Sequence, residues 1–504
     1  MLPSLNFIVY DYETFGKNTK GAVSQFAAIR ANNTFEEQER FNFFCKPSQD
    51  VVAEPAACLV THVTPQIAEN KGIPEYEFAH KVNNIFNAEM NTVVVGYNSV
   101  SFDDEVSRNM FYRNMIDPYR WSFARGNSRF DVSDLVRLIH ALRPDTLNWA
   151  YVDDVDANDE VVGKKLSFKL EHLSAANGIV HLNAHDALSD VEALLSLMKM
   201  IYDKEPELFC EFFELRSKHV AESIVQRKTF GYTCYKFSKT NYISMMRNMG
   251  ASAKDKNKYF SWDLRIDPSW FATLSDEKLA EVMSMRFAEL EENGYPKHGL
   301  HAIKINQIPF VFDSKHLGYS GVADNAKLSE IRSTVKANIE FLDANPDFAR
   351  RVINLYESRV YDPLPNDTDM NLYCSETGGF FQNYEKEAIR KFESAATWKD
   401  KLGVYLEQSS GTRLQKMMFR IIGRNEPSVF DEELMKEWVS YVSQRINGDL
   451  PNSLLSYDQF MEELSSEDLL TSFPRGEHED VYLALEAHGR SLLNLKNNLM
   501  VIEM

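Results

Sequence analysis

Phe7-Ile-Val-Tyr-Asp-Tyr-Glu-Thr-Phe-Gly16 is the stretch on which the reading of this chain turns. β-Branched and aromatic residues run into Asp11-Tyr12-Glu13, and Thr-Phe-Gly then permits a turn. The stretch reads as a buried strand that delivers two acids at its end. Side chains alternate along a strand, so Asp11 and Glu13 project from one face about 7 Å apart along the chain. Two carboxylates that close repel each other in a partly dry site unless a divalent cation neutralises them. Acid pairs are also frequent on solvated strand faces, so alone the pair is only the outline of a metal site.

The surrounding sequence to about residue 200 alternates short apolar strands with helical patterns, the mark of an α/β domain. Gln25–Arg30, Phe41–Phe44 and Thr92–Asn98 read as strands, and Tyr76–Phe86 as a helix. Beyond Asn98, Phe102-Asp103-Asp104-Glu105 opens an amphipathic helix with Val106, Met110 and Phe111 on its apolar face. A strand ending in a polar loop, with an acid at the start of the next helix, is where α/β proteins place ligands. A third cluster, His185-Asp186-Ala-Leu-Ser-Asp190, opens a helical run from Val191 to Ile201. Taken singly, Asp103 or Asp104 reads as a helix cap and His185 as a surface histidine.

In their order these pieces resemble the three motifs of the DEDDh superfamily of 3′→5′ exonucleases. Longer stretches are similar to one bacterial family within it, the exodeoxyribonuclease I family. They are Tyr10–Gly16, Gln25–Arg30, Gly96-Tyr-Asn98, Phe102–Val106, Arg108-Asn109, Phe111–Asn114, Ala141-Leu-Arg-Pro144 and Asn183–Ala187. The resemblance implies a mixed-sheet, ribonuclease H-like exonuclease domain over 1–201, an SH3-like β-barrel domain over 202–357 and an α-helical domain over 358–504. It implies Asp11, Glu13, Asp103 and Asp190 as ligands of two Mg²⁺, for which Mn²⁺ would substitute, with His185 as general base and Glu13 also touching substrate. Asp103 is chosen over Asp104 because it directly follows the aromatic Phe102. His181 stands five residues before Asp186, the same spacing as His185 to Asp190, and His185 is preferred on the Asn-Ala-His-Asp match. Further substrate contacts are expected from Arg108, Tyr119, Phe123, Arg137, Lys169, Lys236 and Lys239. Lys169 stands where arginine is expected, which keeps the charge but loses the fork geometry.

A second informative run lies between Arg227 and Lys258, where eight basic residues meet the single acid Asp255. Phe230, Tyr232, Tyr235, Phe237 and Tyr242 are interleaved, with Tyr259, Phe260 and Trp262 after them. Cations for phosphates and flat rings for unpaired bases suit single-stranded nucleic acid, although the same rings could form the core of a small β-domain. Strands are expected at His301–Asn306 and Pro309–Phe312, and helices at Leu328–Leu342 and Asp347–Tyr356. Tyr361–Asp369 reads as a linker. Helices follow at Tyr384–Phe392, Thr412–Ile422, Asp431–Ile446, Tyr457–Leu464 and His478–Leu495.

Composition sets outer bounds. The chain has 504 residues, 44% hydrophobic and 26% charged, and a net charge of −19. Its length favours three domains, and its charge argues against a protein that coats DNA generally while leaving room for a local basic groove. Five scattered cysteines without a C-x-x-C suggest neither a disulfide framework nor a zinc ribbon. No run approaches the ~20 apolar residues of a membrane helix, and cytoplasmic location is expected. The leading expectation is a processive exonuclease of single-stranded DNA in repair and recombination. Such an enzyme would act as a monomer and engage the acidic tail of the bacterial single-stranded DNA-binding protein. An exoribonuclease and an inactive binding module are the alternatives.

Overall fold

The computed structural model describes residues 5–155, 161–181, 185–240, 242–314, 316, 325–360, 367, 372–373, 378–450 and 454–503. The side chains of 238–240, 325–328 and 497–503 lie outside that description. The chain forms two compact units. Among the described residues, one falls within 3–128, 180–196 and 363–504, and the other within 129–179 and 197–362.

In the first unit the opening stretch is strand β1 (Asn6–Thr14), which pairs antiparallel with β2 (Val23–Ala31). β2 pairs antiparallel with β3 (Glu37–Phe44), and β4 (Thr92–Gly96) runs parallel to β1 on its other side. The order β3-β2-β1-β4 makes a mixed sheet with β1 inside it. Alternation sorts the side chains of β1 as expected. Tyr10 and Tyr12 enter an aromatic core with Phe26, Phe78, Phe86 and Trp121, and Asp11 and Glu13 fall on the opposite face. The parallel pairing stops at Val9↔Val95, so Asp11 and Glu13 lie just past the end of the partner strand. Gly96 closes β4 on a turn in which a Cβ would sit 2.4 Å from the Ser99 Cβ, and only glycine fits there.

The helices after residue 380 do not stand apart from this sheet. One apolar cluster contains Phe15, Leu59, Tyr112 and Met115 together with Phe392, Met418, Trp438, Tyr482 and Leu485. Ion pairs reinforce it: Arg424 binds Asp50, and Arg113 makes a two-pronged bond to Glu75 at 2.7 and 3.0 Å. The helices start on side-chain caps at Thr397, Thr412, Asp431, Ser456 and Ser466. Most of the expected linker Tyr361–Asp369 lies outside the described residues. Asp367 within it is buried between Arg420 and Arg445.

The second unit opens with the end of β5 (Ser128–Asp131), then the helix Val132–Leu142 and an exposed hairpin of β6 (Ala150–Val155) and β7 (Val161–Ser167). Its main sheet is antiparallel, in the order β11-β10-β9-β8-β12. These strands are β8 (Thr229–Thr233), β9 (Ile243–Ala251), β10 (Lys258–Asp263), β11 (Leu300–Lys304) and β12 (Val311–Phe312). Phe260, Trp262, Phe271, Phe348 and Val352 fill the core against its helices.

Candidate active site

Three elements of the first unit bring four acids together. β1 supplies Asp11 and Glu13, and the helix Ala187–Lys204 supplies Asp190 from its first turn. One carboxylate oxygen from each of these three lies within 4.8 Å of the others, a separation a divalent cation can span. The helix Asp103–Arg113 adds Asp103, 5% exposed at its first position. Its charge acts on both Asp11 and Glu13. The loop before that helix turns through Asn98 in the left-handed region and holds the Asp104 amide on the Ser99 carbonyl.

The adjacent Asp103 and Asp104 part company here. Asp104 accepts a 2.7 Å hydrogen bond from the Tyr10 hydroxyl, on the core face of the sheet. Opposite Asp11 on β2 stands Ala27, too small to fill the space between the acids, and opposite Glu13 stands Gln25. The register slips immediately after Glu13, leaving Ser24 as a bulge, a device that re-aims side chains beside functional sites.

Electrostatics mark the cluster as incomplete on its own. Burial, followed by the charges of Asp103, Glu13, Asp190 and Asp186, pushes the Asp11 carboxyl well above the usual range. Burial, followed by the charges of Asp190, Asp103 and Asp186, does the same to Glu13. Asp190 is also raised, chiefly by burial, although hydrogen bonding and charge from His181 and His185 pull the other way. A set of hard oxygen donors that resist ionising together matches a divalent cation.

The two histidines have different settings. The buried His181 points Nε2 at the Asp190 carboxylate. His185 is exposed, with φ +65°, and its backbone amide donates to Asp190. Residues 182–184, which carry part of the Asn-Ala-His-Asp motif, lie outside the described residues.

Arg108, 8% exposed, binds Glu105 and lies 5.6 Å from the centre of the Tyr119 ring. Tyr119 in turn packs against Phe380 at 5.2 Å, and the Tyr373 hydroxyl donates to Glu105. Phe380 and Phe123 are both more than 60% exposed. Sequence reasoning missed Tyr373 and Phe380; the paired aromatics of Gly379-Phe-Phe381 were the available signal, but their use depends on a contact some 260 residues away in sequence.

The remaining expected contacts lie in the second unit. Arg137 binds Asp134 at 2.7 Å and faces the Phe168 ring, while the exposed Lys169 pairs with Glu171 at 3.3 Å. Lys236 lies 5.8 Å from the centre of the exposed Tyr235 ring, and the Lys239 side chain is outside the described residues. The broad basic and aromatic surface expected over 227–262 is corrected. Phe230, Phe237, Tyr259, Phe260 and Trp262 are buried as core. Arg227 pairs with Asp313, and Lys228 and Arg247 share Asp343. The acids that balance these cations come from outside the run, which a local charge count does not register.

A mixed sheet with two acids at the end of an inner strand, and further acids at the mouths of two helices, defines an exonuclease of the ribonuclease H-like class. Residues 8–198 match the family model described as Exonuclease. Residues 216–358 and 366–489 match the Exonuclease I SH3-like domain and the Exonuclease I C-terminal domain. Exodeoxyribonuclease I of Escherichia coli is 32% identical over 446 residues, covering 87% of this chain and 89% of that protein. The crystal structure of E. coli Exonuclease I in complex with a dA16 oligonucleotide superposes with a TM-score of 0.83 at 29% identity, covering 97% of this chain and all of the other. The zinc ion bound form of the E. coli enzyme with single-stranded DNA matches over the same shares, also with a TM-score of 0.83 and 29% identity. The chain belongs to the exodeoxyribonuclease I family.

Proposed function

We propose that this exodeoxyribonuclease degrades single-stranded DNA from the 3′ end and releases nucleoside 5′-monophosphates. Asp11, Glu13, Asp103 and Asp190 would hold two Mg²⁺, with Mn²⁺ substituting. The observation that carries this reading is the convergence of Asp11, Glu13 and Asp190 within 4.8 Å, with raised carboxyl pKa values. When bound, divalent cations supply charge neutralisation at the scissile phosphate and favour ionisation of water. The chain's own residues do the rest. His185, exposed beside Asp190, serves as the general base that takes a proton from the attacking water. His181, buried with its ring on Asp190, fixes the direction of that carboxylate. Arg108 and the rings of Tyr119, Phe123 and Phe380 receive the last nucleotides, the arginine through phosphate and the rings by stacking. Glu13, Arg137, Lys169, Lys236 and Lys239 extend the contacts.

Domain boundaries near 201 and 357, a monomeric cytoplasmic enzyme, a role in repair and recombination, and a partner in the acidic tail of single-stranded DNA-binding protein complete the reading. They rest on the family resemblance. The test is a digest of end-labelled single-stranded DNA, duplex DNA and RNA of equal length, with Mg²⁺ or with chelator. Loss of label from the 3′ end as mononucleotide, from single-stranded DNA and only with metal, is the expected result. Equal or faster loss from RNA would replace the reading with an exoribonuclease, and no digestion at all with a binding module.

A further inference from the structure

Gln25 is fully buried in β2, directly opposite Glu13, and its Nε2 is bonded on two sides. One hydrogen bond of 3.0 Å reaches the Asn42 Oδ1 on β3, and the other, of 3.4 Å, reaches the Asp186 Oδ2. The other oxygen of Asp186 accepts the Ser189 backbone N–H at 3.2 Å, the capping bond of the helix that carries Asp190. One turn on, the Asp190 amide bonds the Asp186 carbonyl. A single amide side chain therefore ties the mouth of the Ala187–Lys204 helix to the sheet at the level of Glu13.

We propose that Gln25 is a positioning residue with two effects on the acid cluster. It sets the distance between Asp190 and Glu13 by anchoring the helix start through Asp186. It also holds Asp186 as the helix cap, with one oxygen on Gln25 and the other on the Ser189 amide, and so away from the cation. The site thus keeps four carboxylate ligands rather than five. Glutamine suits this task because it is neutral and offers two N–H donors to two acceptors on different elements. A carboxylate in its place would repel Asp186, and an apolar residue would leave Asp186 and Asn42 without their donor. Residues that orient metal ligands from behind in this manner typically change metal affinity 10- to 100-fold when lost.

The inference rests on the proposed metal site, and Mn²⁺ binding by the full-length protein, followed by electron paramagnetic resonance without substrate, separates the two. Absence of Mn²⁺ binding by the unsubstituted protein would remove the site itself and this inference with it. Given binding, Gln25→Met should weaken Mn²⁺ affinity at least roughly 10-fold. Asn42→Ala, which leaves the bond to Asp186 in place, should change it less than about 3-fold. Should Gln25→Met fail to fold, substitutions at the more exposed Asp186 give the same answer. Asp186→Ala should weaken Mn²⁺ binding to a similar degree. Asp186→Asn, equally uncharged but able to cap the helix and to meet the buried Gln25 Oε1, should recover most of the loss. Wild-type affinity in folded Gln25→Met, or equal losses in Asp186→Asn and Asp186→Ala, would overturn the positioning role. The second result would leave only a lost charge.

Discussion

Replacing Asp11 by Asn should make the metal-free protein more stable while abolishing its nuclease activity. Every influence on the Asp11 carboxylate disfavours its charge: burial, then Asp103, Glu13, Asp190 and Asp186. At the 4.8 Å that bounds the acid trio, two unit charges in surroundings of effective dielectric about 20 repel by about 3.5 kcal/mol. Asp11 takes part in two such pairs within the trio, about 7 kcal/mol for fully ionised groups at that separation. Proton uptake by the raised carboxyls and water at the open side of the cluster reduce the stored repulsion well below that figure. A gain of about 2 kcal/mol for Asp11→Asn is expected, the scale at which active sites trade stability for function. Urea unfolding at neutral pH in chelator measures it. With millimolar Mg²⁺ the order should narrow or invert, since only the unsubstituted protein gains binding energy from the cation. A variant less stable than the parent in chelator would refute the claim that the acids are held in mutual repulsion.

Asp50 offers a prediction about acid stability. Burial would raise its pKa, yet Arg424, Ser48 and Arg445 hold it down to about 2 from 3.8. Its contribution, about 2 kcal/mol, is present above pH 4 and lost as the pH falls towards 2; a stability profile of Arg424→Met should lack that component and lie about 3 kcal/mol lower at neutral pH. Gly423→Ala would place a Cβ 2.4 Å from the buried Trp438 ring. Helix propensity favours alanine by about 1 kcal/mol, but overpacking costs about 1–3 kcal/mol and more when the neighbour cannot retreat, so a net loss is expected on calorimetry. Phe380→Ala, exposed and packed at a tilt against Tyr119, should weaken binding of a short single-stranded oligonucleotide roughly 5- to 150-fold, about 1–3 kcal/mol, and leave the unfolding midpoint nearly unchanged. Unchanged affinity would remove that ring from the proposed nucleotide contacts.

Local signals carried the first unit's sheet and its acids into view. Period-two alternation separated Tyr10 and Tyr12 from Asp11 and Glu13, and the helical pattern located the long helices Arg413–Asn425 and Glu432–Asn447 to within about three residues of their ends. Shorter elements escaped. The β6–β7 hairpin is rich in Asp and Lys and exposed along much of its length, so it has no apolar face to betray it. The helices Ser269–Thr273 and Phe287–Glu292 are each too short to complete a periodic pattern, Asp276–Ser284 has only Leu279, Val282 and Met283 to mark its apolar face, and Trp398–Leu406 is interrupted by Gly403. Around the site, the residues that act alone on their own element were legible. Gln25, Asp186, Tyr373 and Phe380 matter through partners far off in sequence, and nothing in their neighbourhoods records those partners. The rings of 230–262 show the converse, since an aromatic residue looks the same in sequence whether it stacks a base or fills a core.

The most direct test of the account is a titration of Mn²⁺ into the full-length protein bearing single-stranded DNA with a non-hydrolysable 3′-terminal linkage. Two Mn²⁺ per chain are predicted, with loss of at least one in each of Asp11→Asn and Asp190→Asn. Full occupancy in either variant, or no bound Mn²⁺ in the unsubstituted protein, would contradict it.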